Sequence, residues 1–266
     1  MSSRPSPIIA VPALLLLVVS LWEVCATRRA AHAVPGDPAW HAAAAVVRAE
    51  HRPGDLIVFA PAWNDPVGRL HLGDLIAIDD AARMDAARYA RIWELSIRGA
   101  RAPETAGLTP IVEREVDGVT VRRFERTPVS VLADVRERLV GVRVEGTRAR
   151  GPTLELAEVG FAPHRCILVV PNPGAPVRVT FPAVPLGTEL VGYAGLADVF
   201  TRRDIRVPGR IQVEIDDVVV ADTHLGVDDG WVRFAAPTRP GTADVTFTIS
   251  AEAANRQVCF AAETRR

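Results

Sequence analysis

"RIQVEID", Arg210 to Asp216, sets Ile211, Val213 and Ile215 on one side of an extended chain and Gln212 and Glu214 on the other. "DVTFTIS" (Asp244–Ser250) repeats the pattern with Val245, Phe247 and Ile249, and "VRVTF" (Val177–Phe181) with Val177, Val179 and Phe181. A period of two means strands with one face buried and the other wet. Between them stand Pro171, Pro173-Gly174, Pro208-Gly209 and Pro240-Gly241, punctuation at the spacing of an all-β sandwich. From about Val129 onward the chain therefore reads as an antiparallel β-sandwich of jelly-roll type.

Upstream the texture differs. "GDPAWHAAAAVVRAEHRPGD" is a punctuated helix: Asp37 suits the N-cap, Pro38 the first helical position, and Pro53-Gly54 the stop. Trp40, Ala43, Ala44 and Val47 share a face. A strand at Asp55–Ala60 follows, then a turn bearing Trp63, Asn64 and Asp65, a short helix in "DAARMDAARYA" (Asp80–Ala90), and a buried strand "RIWELSI". "IVEREV" and "VTVRRFER" form a hairpin about Asp117-Gly118. The expected fold class is α+β multidomain: a leader or anchor over 1–33, a small α/β, Rossmann-like domain over 34–128, and the β-sandwich over 129–266.

The leader has Arg4, then an apolar run from Ile8 to Trp22. It fits a signal peptide, with small-x-small sites after Ala26 and after Ala33, and equally an uncut anchor. Trp22, Glu23 and Val24 are too bulky for a lipidation box before Cys25, and Arg28 and Arg29 argue as positive-inside charges against translocation. The expected location is the periplasm or the outer face of the inner membrane. Cys166 and Cys259 remain either as a disulfide for an oxidising compartment or as two buried thiols. Val258 and Phe260 share a face, so a disulfide at Cys259 must lie on the opposite one.

All 31 basic residues are Arg, balanced by 32 acids to a net charge of −1. No basic stripe marks a nucleic-acid face. No phosphate loop, nucleophile elbow or His-Glu-x-x-His occurs, and the six histidines (32, 41, 51, 71, 164, 224) are scattered, each read as a solvated side chain. No cofactor or metal is expected. Asp216-Asp217 and Asp228-Asp229-Gly230 read as turn chemistry, because neighbours on a strand face opposite ways and make a poor acid/base pair. Trp63, Asn64 and Asp65, at the carboxyl end of a strand, are the candidate binding residues. Trp231 either stacks on a sugar or plugs the core edge.

"DPAWHAAAAVVRAEHRPGDLIVFAPAW" and "YARIWELSIRGA" resemble the soluble segment that follows the membrane bundle of multi-span glycosyltransferases using lipid-linked sugars. "VPLGTELVGYAGLADV", "VEIDDVVVAD", "DDGWVRF" and "RQVCF" are similar to β-sandwich modules appended to such envelope proteins, although Asp217 stands where that family's turn favours glycine. The catalytic acidic residue of those transferases sits in a loop of a many-helix bundle, which one apolar segment cannot supply. The resemblance implies a non-catalytic envelope protein binding glycan, lipid-linked sugar or a partner protein. The alternative is the detached soluble subunit of a split transferase, completing a multi-span membrane partner. A hydrolase using Trp63, Asn64 and Asp65 is the remaining reading.

Overall fold

The computed structural model describes residues 7–32, 34–197 and 206–266. The amino-terminal Arg4, the cleavage position at Ala33 and the residues after Ala197 in "GLADV" lie outside them. The chain divides into two compact units, one of Met1–Leu75 with Arg91–Glu125, the other of Ile76–Ala90 with Arg126–Arg266. Ile76–Ala90, grouped by sequence with the first region, makes its contacts in the second.

In the first unit, α1 (Pro7–His32) precedes α2 (Asp37–Glu50), β1 (Leu56–Ala60), α3 (Asp65–Leu72), β2 (Arg91–Ser96), β3 (Val112–Val116) and β4 (Val119–Glu125). The cap of α2 is Gly36, one residue before the expected Asp37, and Trp40, Ala43, Ala44 and Val47 are all buried. The sheet runs β1-β2-β4-β3. Only β1 and β2 are parallel; β4 pairs antiparallel with both β2 and β3. A Rossmann-like sheet needs successive parallel crossovers. Here the Asp117-Gly118 turn, with both residues at positive φ, folds β3 directly onto β4 and ends that pattern.

The second unit holds α4 (Ile78–Ala81), β5 (Val131–Asp134), β6 (Arg143–Glu145), β7 (Arg148–Val159), β8 (Ala162–Pro171), β9 (Val177–Leu186), β10 (Glu189–Leu196), β11 (Gly209–Ile215), β12 (Val218–Leu225), β13 (Val232–Pro237), β14 (Gly241–Ala251) and β15 (Val258–Arg265). One sheet is ordered β13-β10-β15-β8-β7, with β5 also on β15; the other is β12-β11-β14-β9-β6. All their pairings are antiparallel. Val177, Val179, Phe181, Ile211, Val213, Val245, Phe247 and Ile249 meet Ile167, Val169, Val258 and Phe260 in one apolar core between the sheets. This is a β-sandwich.

The helix expected over 80–90 is confined to its first residues. Beyond Ala81 the carbonyls that would close helical turns bond elsewhere: Ala82 accepts from Arg165 N, Ala87 from Val129 N and Ala90 from Arg126 N. Tertiary pairing displaces helix propensity, and the segment lies along the outer face of the β15 sheet.

Candidate functional site

The turn after β1 does not gather a reacting centre. Trp63 is exposed, whereas Asn64 turns inward and donates from Nδ2 to Ala60 O at 3.3 Å. Asp65 is held by Arg69 one helical turn on, with Nη2 to Oδ1 at 3.1 Å.

Trp231 precedes β13 and lies on the outer face of its sheet. Its ring stacks on His164 (centroids 4.4 Å, 14° between planes) and runs parallel to Tyr193 (6.0 Å, 11°). His164 is on β8 and Tyr193 on β10, with β15 between. Next-but-one strands stand about 10 Å apart, so the indole fills the space between the two rings. The backbone must come close to allow this: a Cβ on Gly195 would sit 2.3 Å from Gly230 O. Trp231 remains partly exposed. Trp231 Nε1 donates to Met84 O at 3.1 Å, and the residue packs against the buried cluster of Val159, Leu168, Val170, Ala197 and the Cys166–Cys259 disulfide (Cα–Cα 5.6 Å).

Not every histidine is solvated. His164 is largely buried, with Nδ1 against Arg83 O at 3.2 Å, and burial lowers its pKa to about 4, so it is neutral at pH 7. The His71 side chain is only 11% exposed and meets Asp37 at 3.2 Å. Sequence gave no sign of either, since their cover comes from residues far along the chain.

Beside the aromatic stack, the second unit opens into a cleft of about 400 Å³, lined by Asp79, Asp80, Arg88, Asp134, Arg136, Arg165 and Glu263 among others. Its floor is a buried charge network. Glu263, 2% exposed, takes Arg88 at 3.1 Å, Arg136 at 3.4 Å and Arg265 at 3.0 Å. Asp134 takes Arg136 at 2.5 Å, and Arg265 also reaches Asp85 at 2.9 Å. Burial opposes the Arg136 and Arg265 charges, but their carboxylate partners outweigh it and hold both above the usual guanidinium range. Burial pushes the Tyr89 hydroxyl up, helped by its 2.9 Å bond to Asp80. At the rim, Asp79 and Arg165 approach to 2.6 Å and both stay partly open to solvent.

The cleft is an array of mutually paired planar donors and acceptors. Such an array can hold a neutral polyol in fixed orientation, since bidentate groups match pairs of hydroxyls. Among the described residues no three histidine, cysteine or acidic side chains are placed to hold a metal. The first unit has its own buried network: Glu94 accepts from Ala102 N (2.7 Å), Arg122 (3.0 Å) and Thr105. With Glu94 wholly buried and these partners in place, that network reads as structural.

No family model and no curated protein matches the chain. Among solved structures, it is similar to the CBM51-2 and INT domains of ZmpB from Clostridium perfringens (11% identity, 60% of this chain and 41% of that one, TM-score 0.36). It is also similar to a CBM51 from Clostridium perfringens GH95 in complex with methyl-galactose (12%, 45% and 88%, 0.31). A third is the K1 cleaved adhesin domain of Lys-gingipain from Porphyromonas gingivalis W83 (12%, 45% and 88%, 0.31). The chain spans about two fifths of the length of the first of these.

Proposed function

We propose that the chain is a non-catalytic binding protein of an extracytoplasmic compartment, held at a membrane by α1, whose second unit takes a saccharide in the Asp79–Glu263 cleft. The cleft carries this reading: its volume suits a small ligand, and its carboxylates and guanidiniums are pre-set by one another rather than free to collapse. The strand alternation, with β8, β10, β13 and β15 in one sheet and β9, β11, β12 and β14 in the other, supports assigning the sandwich to the jelly rolls. The disulfide supports export, because such bonds persist in oxidising compartments.

The test is calorimetric titration and array binding with glycans and lipid-linked sugars, comparing the parent with Asp79→Ala and Arg88→Ala. Both side chains are exposed enough for folding to survive their loss. The expected result is saccharide binding that falls at least about tenfold in each variant, the loss of one charge-assisted contact. Folded protein that retains no saccharide across the panel overturns the assignment. The split-transferase reading rests on α1, whose apolar side chains are exposed and need lipid or other helices around them. It requires co-purification with a multi-span protein.

A further inference from the structure

We infer that one end of the first unit, carrying Trp63, Val67 and Leu70, is seated in the lipid–water interface. The inference rests on α1 remaining in a membrane. Val11–Ala31 is long and apolar enough to cross one, at mean hydropathy 1.7. Roughly 19 residues from Ile8 to Ala26, at about 1.5 Å each, span about 28 Å and match the hydrocarbon core. Arg28 and Arg29 then fall at headgroup level. One residue on, Ala30 O accepts a 2.9 Å hydrogen bond from Arg98, just beyond β2. The carboxyl end of β2 is thereby held at headgroup depth.

The sheet register brings other segments to the same end. Ala60 pairs with Ser96 in the parallel β1–β2 ladder, and Ile97 N donates to Ala60 O at 3.0 Å. The chain leaving β1 toward Trp63 therefore starts beside Arg98. Ser96 also pairs with Thr120, placing the Asp117-Gly118 turn at that end, where it lies against Val34–Gly36. The helix α3 starts from that end; along it His71 meets Asp37 in the first turn of α2, while its carbonyl accepts from Arg48 in the last turn at 2.7 Å. Gly68 packs against Phe59 so closely that a Cβ would stand 2.0 Å from its ring.

On this short helical stretch the two faces differ. Asn64, Gly68 and Leu72 are buried at spacings of four. Trp63, Val67 and Leu70, at i, i+4 and i+7, are 57%, 39% and 75% exposed. Two of the carboxylates on this stretch are neutralised, Asp65 by Arg69 and Asp74 by Arg48, and Asp117 of the neighbouring turn is exposed. A tryptophan followed by two aliphatic side chains, on the segment that leaves β1 beside Arg98, is the composition of an interfacial surface. A second protein would not require that surface to share the depth of the anchor's arginines; a bilayer does.

The test uses the full chain with Cys25→Ser, bearing an environment-sensitive fluorophore at Leu70→Cys or, independently, at Trp63→Cys. The control label is at Glu125→Cys, at the opposite end of the sheet, where Glu125 pairs with Arg91. Vesicles are phosphatidylethanolamine with a minor share of phosphatidylglycerol, with or without brominated acyl chains. The expected result is that emission at positions 70 and 63 falls by roughly half with brominated lipid and is unchanged at 125. Protein that floats with the vesicles but shows no more quenching at 70 and 63 than at 125 overturns the inference while leaving the anchor intact. Protein that does not float overturns the anchor and this surface together. Labels shielded from aqueous iodide yet unquenched by brominated chains signify a protein contact and also overturn it.

Discussion

The two faces of β15 are the instructive contrast. Val258, Phe260 and Ala262 enter the apolar core between the sheets, while Cys259, Glu263 and Arg265 point the other way. Every residue from Val258 to Arg265 is buried. The inner face is closed by hydrocarbon from the facing sheet. The outer face is closed by the Ile76–Ala90 segment, over a disulfide, an aromatic stack and a charge network. Alternation ordinarily marks a wet face. In this sheet it marks the boundary between a dry core and a polar one, so the faces should fail in different ways when cut.

The largest effects come from one cut on each side. Phe247 of β14 lies 4.8 Å from Phe260 and edge-on to Phe181 at 5.7 Å. Phe247→Ala is expected to cost about 3–5 kcal/mol in urea unfolding, as lost transfer energy plus a cavity. Glu263→Ala removes the shared partner of Arg88, Arg136 and Arg265 and is expected to cost a similar amount, about 3–5 kcal/mol, because buried cations lose their compensation. Adding salt should leave the first penalty unchanged. A Glu263→Ala cost below about 1 kcal/mol would mean that water enters the outer face and the contrast is false.

A drop in pH probes the same contrast through His164. Its folded pKa is about 4 against 6.5 unfolded, so the folded side chain resists a proton that the unfolded chain accepts. Its contribution is therefore full above about pH 6.5 and is lost progressively as pH falls toward 4. The loss reaches up to about 3 kcal/mol from this group. His164→Phe keeps a ring against Trp231 and should flatten that part of the stability profile. An unchanged profile in the variant would locate the acid sensitivity elsewhere.

What the sequence made legible was local. The α2 helix, the Asp117-Gly118 hairpin and the alternation of β9, β11 and β14 all rest on neighbours within a few residues. Asp216 and Asp217 do form a turn, both at positive φ, with Asp216 Oδ1 accepting from Asp244 N at 3.0 Å. The cleft was not legible, because Asp79, Asp134 and Glu263 are brought together from segments far apart in the chain. Nothing around Glu263 distinguishes a charge under another segment from one facing water. "DAARMDAARYA" misled for the same reason: its composition favours a helix, but its carbonyls have better-placed partners on β8 and beside β5.

The smallest expected effect is the sharpest test of where apolar surface belongs. Trp63 and Trp231 are the same residue type in opposite settings. Trp231 lies between two rings, donates to Met84 O and packs against the cluster that holds the disulfide, whereas Trp63 is 57% exposed on a short helical turn. Trp63→Ser should change folding stability by no more than about 0.5 kcal/mol, as for a surface site with no buried partner. If the indole is seated in lipid, the same substitution should nonetheless weaken the vesicle-dependent shift of a label at Leu70→Cys. A folding penalty well above 1 kcal/mol would instead place Trp63 in contacts within the protein, and the exposed stripe on α3 would lose its claim to be a surface kept for the membrane.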